Sequence, residues 1–259
     1  MKEPTLPIEA IEKNYEIKVL FACRSGSRAW GLSSPDSDTD LALFYHRSLR
    51  SYVSLNEIPD TIDLSLHSHF DGYGWDIRKV LKGLLSSNAS LFDYLQVLDA
   101  YIADAKKVDA IKTLAQQCFD ERKVIFHYLG LGNHLIHKYK DKADVPLKSY
   151  LLLIRATLAA TWVMEKKTAP PILFSELLSI AEKEPATVLA IHKVMQLKRQ
   201  SKSHKRIPKI AAIDSFIKYY RRLCSSYAEG LLSQKDLPVE EAEQLLWDIV
   251  HEEGTGYET

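Results

Sequence analysis

The chain is poor in cysteine and has no excess of charge of either sign. Its three cysteines, Cys23, Cys118 and Cys224, are widely spaced and include no Cys-x-x-Cys pair. That excludes a disulfide framework and a structural zinc site of the usual spacing, and leaves reduced, mostly buried thiols. Lys plus Arg and Asp plus Glu are equal at 34 each. A chain-wide basic field is therefore not the device by which this protein would grip nucleic acid. Met1 to Pro7 lacks the apolar core of a signal peptide, and the most apolar run, Tyr150 to Met164, contains Arg155 and is read as too short to cross a bilayer. These absences predict a cytoplasmic protein with no membrane partner. No internal repeat and no low-complexity segment is visible. Nor does any Gly-Lys-Ser/Thr follow a glycine-rich turn, so a kinase-type phosphate loop does not fit, and a dinucleotide fingerprint does not fit either.

What is present is concentrated between residues 17 and 45. An apolar stretch, Ile17 to Ala22, runs into Gly26-Ser27, and Asp38-Thr39-Asp40 opens a second apolar stretch, Leu41 to Tyr45. The pattern predicts strand, turn, polar connection and strand. Gly26 lets backbone N–H groups approach a phosphate, and Ser27 adds a hydroxyl. Asp38 and Asp40, two apart on a strand, project from one face. Paired carboxylates on one face suit Mg²⁺, with Mn²⁺ as the alternative, because these ions take oxygen ligands and accompany substrate phosphates. Either motif alone is common on solvated turns; their order and spacing favour handling of a nucleoside triphosphate, ATP among them.

The rest of the chain divides in two. Residues 1–104 read as a small α/β unit: a short helix over Ile8 to Tyr15, a strand alternating over Thr61 to Phe70, a break at Asp71-Gly72-Tyr73-Gly74, a helix from Trp75, and another from Asn88 with Asn88 or Ser87 as N-cap. Residues 105–259 read as all-helical, with helices near 106–139, 147–166, 173–182, 186–201, 209–232 and 238–252, broken at prolines or polar turns. The fold class is therefore α+β: a nucleotide-handling α/β domain with a mixed sheet, then a helical domain, with the cleft between them as the default ligand site.

The motifs resemble the Gly-Ser…Asp-x-Asp signature of the nucleotidyltransferase (DNA polymerase beta-like) superfamily. Further pieces resemble the smaller RlaP-type (RNA-ligase-associated) group: Gly26-Ser27-Arg28-Ala29-Trp30-Gly31, Ser34-Pro35-Asp36-Ser37-Asp38-Thr39-Asp40, Trp75-Asp76-Ile77-Arg78-Lys79, Ser87-Asn88, His127-Tyr128-Leu129, and Lys148 to Arg155. Together they cover about 20 to 165. Ala89 stands where the group carries proline. The resemblance implies transfer of a nucleoside monophosphate from an NTP, and leaves the acceptor open among an RNA end, a protein hydroxyl and a small molecule. A catalytically silent nucleotide- or RNA-binding module in a repair or defence complex is the competing reading.

Such chemistry needs a third carboxylate, and Asp63, Asp71 and Asp76 compete for the role. The resemblance favours Asp71, with Asp63 as substitute; Asp76 opens a helix and has a plain alternative as a structural cap. Arg28, Lys148 and Arg155 are candidates to hold the triphosphate. Lys148 and Arg155 lie seven apart on one helix face, the alternative being a solvated lysine and a structural partner for a core acid. Tyr73 and Trp75 could stack on a base or belong to the core. His127, His134 and His137 read as a helix face rather than a metal set. Lys193, Lys198, Arg199, Lys202, Lys205, Arg206 and Lys209 fall in a stretch free of acids, a candidate RNA-backbone strip or simply a solvated helix end and loop.

Overall fold

The computed structural model describes residues 7–34, 37–65, 70–200, 205–232 and 236–251, with the side chain of Phe70 excepted. In chain order the first part comprises α1 (Ile8–Tyr15), β1 (Lys18–Arg24), α2 (Gly26–Ala29), β2 (Thr39–His46), α3 (Leu49–Tyr52), β3 (Thr61–Asp63), β4 (Phe70–Asp76), α4 (Ile77–Leu85), α5 (Ala89–Tyr94) and β5 (Tyr101–Ile102). The five strands form one mixed sheet in the order β3-β4-β2-β1-β5. β2 and β4 run parallel, and the other pairs are antiparallel.

Strand alternation gives the sheet two apolar faces. Leu41, Leu43 and Tyr45 point to one side, where Ile8 and Ile11 of α1 cover them. Phe21, Ala42 and Phe44 point to the other and join a core that continues through the helices. The second part comprises α6 (Ala105–Gln117), α7 (Glu121–Tyr139), β6 (Asp144–Pro146), α8 (Leu147–Lys166), α9 (Phe174–Leu177) with a 3₁₀ turn after it, α10 (Pro185–Gln200), β7 (Arg206–Pro208), α11 (Ala211–Glu229) and α12 (Val239–His251). Asp104, where the expected first domain ends, is the N-cap of α6. The apolar core crosses this point without interruption.

Three expectations are corrected. Asp71-Gly72-Tyr73-Gly74 does not break a strand; it lies inside β4. A Cβ on Gly72 would meet the carbonyl oxygen of Leu41 at 2.0 Å. The glycine is there for close strand approach, not for a turn. The single helix expected over 106–139 is two, because Asp120 accepts the Lys123 amide and caps α7. Its own N–H donates to Ser87 Oγ at 2.9 Å, so the break is fixed by side-chain capping rather than by proline or glycine. Finally, α8 has 20 residues and is, by length and composition, able to cross a membrane, contrary to the reading of that run as too short. It is instead the packed centre of the helical layer, with Tyr150, Ile154, Leu158 and Val163 all buried. The three cysteines are free and buried, as expected.

Candidate active site

The site begins with the register of two parallel strands. Asp40 on β2 pairs directly with Asp71 on β4, so the two carboxylates leave the same face of the sheet on neighbouring strands. Asp38 precedes the first residue of β2 and is exposed. Burial raises the pKa of Asp40; Lys148 works against that, and the charges of Asp38 and Asp71 add to it. Those influences show Asp38, Asp71, Lys148 and Arg28 all acting on one half-buried carboxylate.

Gly26 and Ser27 approach the same point from β1. The Ser25 N–H donates to the Asp40 carbonyl at 2.8 Å, tying the turn to β2. Gly26 has φ of +62°, and a Cβ there would lie 2.1 Å from Asp40 Oδ2. Only glycine leaves this carboxylate in place, since other residues are strained at that φ and collide with it. Ser27 is half-buried in the same turn.

The basic candidates divide by position. Lys148, the second residue of α8, is exposed and its charge reaches Asp40. Arg28 is occupied with backbone: Nε donates to the carbonyl of Asp38 at 3.2 Å and Nη2 to that of Ser37 at 2.9 Å. Arg155 is 3% exposed. Its Nη2 lies 3.0 Å from Asp93 Oδ2, its guanidinium sits 4.7 Å from the centroid of the Trp30 ring, and Tyr128 Oη donates to Asp93 Oδ1 at 3.0 Å. Burial opposes the charge of Arg155, and Asp93 and Tyr128 more than offset it, raising its pKa. The motif pieces around Trp30, Tyr128 and Arg155 thus meet in one buried network behind the Gly-Ser turn.

The other acids lie away from this centre. Asp63 is on the edge strand β3, opposite Tyr73, two strands or roughly 10 Å from β2, and it accepts from the amide and hydroxyl of Ser65. Asp76 ends β4, five residues or about 16 Å along the strand from Asp71. It is buried, caps α4 by accepting the Arg78 amide at 2.9 Å, and takes a hydrogen bond from Tyr52.

A cavity of about 240 Å³ adjoins Asp40 and Asp71 and is walled by Tyr73, Trp75 and Tyr94. Trp75 meets Tyr94 edge-on at 6.0 Å and packs on the core, whereas Tyr73 is exposed. A larger cavity, about 390 Å³ between α7, α8 and α11, touches none of Asp38, Asp40 and Asp71. Among the described residues, Asp38, Asp40 and Asp71 included, no three His, Cys, Asp or Glu side chains are gathered closely enough to hold a metal ion. His127 is half-buried, and burial lowers its pKa; His134 and His137 are exposed on α7.

The basic strip of the second part is dispersed. Lys198 is 4% exposed and donates to Ser34 Oγ at 3.2 Å. Arg206 pairs with Asp144 at 2.9 Å, and Lys209 donates to the carbonyls of Tyr139 and Lys140. Lys193, Arg199 and Lys205 are exposed, and Lys202 lies outside the described residues. Sequence reasoning missed Asp93 and the burial of Lys198. The second was legible: Ile191, Val194, Met195 and Lys198 share one helical stripe, and the first three are apolar.

The chain is 27% identical over 245 residues, 95% of its length and 94% of the relative's, to the uncharacterized protein YcgL of Bacillus subtilis (strain 168). A family model for the RNA repair pathway DNA polymerase beta family, RlaP, matches residues 4–248. With that match across nearly the whole chain, and with the Gly-Ser turn and paired strand acids in place, the protein belongs to the RlaP family of nucleotidyltransferase type.

Proposed function

We propose that this protein transfers a nucleoside monophosphate from an NTP to a hydroxyl group, with Mg²⁺ or Mn²⁺ as cofactor and an RNA end as the first acceptor to test. The observation that carries the reading is the register of Asp40 with Asp71, beside a glycine that makes room for the Asp40 carboxylate. An all-oxygen set of acids, in which the charges of Asp38 and Asp71 raise the cost of ionising Asp40, fits a divalent cation. Mg²⁺ is commonly held by one or two carboxylates together with substrate phosphates, so the reading does not require three protein ligands in place before the nucleotide binds.

Asp38 and Asp40 would hold the ion, and Asp71 would complete the set. A bound cation supplies neutralisation of phosphate charge and a lowered pKa for the attacking hydroxyl. The chain's own groups do the rest. Asp71, at the cavity on the next strand, takes the hydroxyl proton. The hydroxyl oxygen bonds to the α-phosphorus, the bond from that phosphorus to the β-phosphate oxygen breaks, and pyrophosphate leaves. Lys148 opposes the negative charge of the triphosphate from the start of α8. Arg28 and Arg155 act behind the turn, the first on the Ser37 and Asp38 carbonyls and the second on Trp30. The aromatic walls of the cavity suit a flat ring on the acceptor.

The test is to measure ATP, GTP, CTP and UTP binding with and without Mn²⁺, and label transfer to pooled RNA. Metal-dependent binding with transfer supports the enzyme. Binding without transfer to RNA, protein or small-molecule acceptors supports the second reading, a silent nucleotide-binding module.

A further inference from the structure

The stripe Ile191, Val194, Met195 and Lys198 turns a lysine into the interior of the protein, at 4% exposure. A buried ammonium is costly unless it is engaged, and a methionine would fill the same space more cheaply. Lys198 Nζ donates to the hydroxyl of Ser34, 164 positions earlier, at 3.2 Å. Ser34 is itself 5% exposed. Its hydroxyl lies 3.0 Å from that of Ser37, and the Ser34 N–H donates to the same Ser37 oxygen at 2.8 Å. The Ser37 N–H also donates to the Ser34 carbonyl at 2.9 Å. From the other side, Arg28 holds the carbonyls of Ser37 and Asp38.

We infer that Lys198 is a positioning residue. Its ammonium ties Ser34, and through Ser34 its partner Ser37, to α10, and so sets where Asp38 stands relative to Asp40 as the chain enters β2. The ammonium contacts a serine hydroxyl and not the reacting atoms. The hydrogen bond it makes is directional, so it constrains where the Ser34 hydroxyl lies. The part of the inference concerning metal–nucleotide binding rests on the function proposed above; the anchoring of the turn does not.

The test uses the full chain with Lys198→Met, Ser34→Ala and the double variant. Two readouts are taken: amide hydrogen exchange at residues 37–40, and affinity for ATP with Mn²⁺ or with EDTA. The loss of one hydrogen bond to a charged donor corresponds to roughly a tenfold effect or more. Each single variant is therefore expected to speed exchange at 37–40 by about tenfold and to weaken Mn²⁺-dependent ATP binding by a similar factor. The double variant should match Lys198→Met, which already removes the contact to Ser34. Exchange within α8 and affinity for ATP in EDTA should stay at wild-type levels, which a general loss of stability would not allow. Unchanged exchange in Lys198→Met and Ser34→Ala overturns the inference, as does faster exchange with undiminished Mn²⁺·ATP affinity. Should Ser34→Ala alone fold, its exchange and affinity decide by the same criteria. If the wild type binds no nucleotide, the proposed function fails on its own, and exchange at 37–40 still upholds or overturns the anchor.

Discussion

Gly26 and Asp40 touch across the two strands of the site. The Cβ that Gly26 lacks would lie 2.1 Å from Asp40 Oδ2, at a backbone φ of +62°. Gly26→Ala must therefore strain the turn and push the carboxylate aside. The left-handed conformation alone costs a non-glycine residue about 1–2 kcal/mol. The expected melting temperature is lower by several degrees, on the order of 2–4 °C per kcal/mol for a chain of this size. Metal-dependent nucleotide binding should fall further than that loss explains. Calorimetric melting and titration with Mn²⁺·ATP check both.

Asp40 provides a pH signature. Burial raises its pKa above 3.8, and the charges of Asp38 and Asp71 add to the shift against Lys148. A carboxyl raised in the folded state favours folding when protonated. Its contribution is present below the unfolded pKa and is lost as pH rises through the folded value. Asp40→Asn should thus melt higher than wild type at neutral pH without metal, with the gap closing below about pH 3.8. Thermal melts across pH test this; a variant less stable than wild type at pH 7 contradicts it. Because metal ligands must be deprotonated, Mn²⁺ affinity should decline on acidification at a pH above 3.8.

Arg155 and Asp93 form a buried pair 3.0 Å apart. Removing one partner strands the other charge, at a cost of about 3–5 kcal/mol. Asp93→Ala should lower the melting temperature by on the order of 10 °C. Joint replacement by Asp93→Leu and Arg155→Met should recover most of that loss, since a well-packed apolar pair commonly matches a buried ion pair. A small effect of Asp93→Ala would show that the pair adds little to the fold.

The local structure around Gly26 and Asp40 is partly legible in the sequence. The Gly-Ser turn and the Asp-x-Asp entry to β2 are local signals, carried by residues whose backbone freedom and charge declare themselves. Asp71 was named through resemblance, but its placement was misread, because Gly72 and Gly74 look like a turn when the close approach of a parallel neighbour is unseen. The helix break at Asp120 was missed for a related reason: it depends on Ser87, thirty-three positions away. The burial of Arg155 and Lys198 depends on partners at Asp93 and Ser34. Spacing along one helix specifies a shared face, not what that face meets.

Lys148 is exposed at the start of α8, and its charge reaches Asp40. Lys148→Ala should weaken NTP binding roughly tenfold or more, the loss of a charge-assisted contact of about 1.5–3 kcal/mol. Binding of the bare nucleoside should barely change. Competition titrations with ATP and adenosine separate the two; equal ATP affinity in variant and wild type removes Lys148 from the triphosphate site.

Nucleotidyl transfer itself is tested most directly by comparing NTPs labelled at the α- and γ-phosphates, with Mg²⁺ or Mn²⁺ and pooled RNA as acceptor. The expected result is α-label joined to the acceptor and γ-label released in pyrophosphate. Transfer should drop by ~10²-fold or more in folded Asp40→Asn and Asp71→Asn, as expected for loss of a group acting on transition-state charge. Undiminished α-label transfer in either folded variant would contradict the account. So would γ-label on the acceptor, or no transfer by the wild type from any of the NTPs to RNA, protein or small-molecule acceptors.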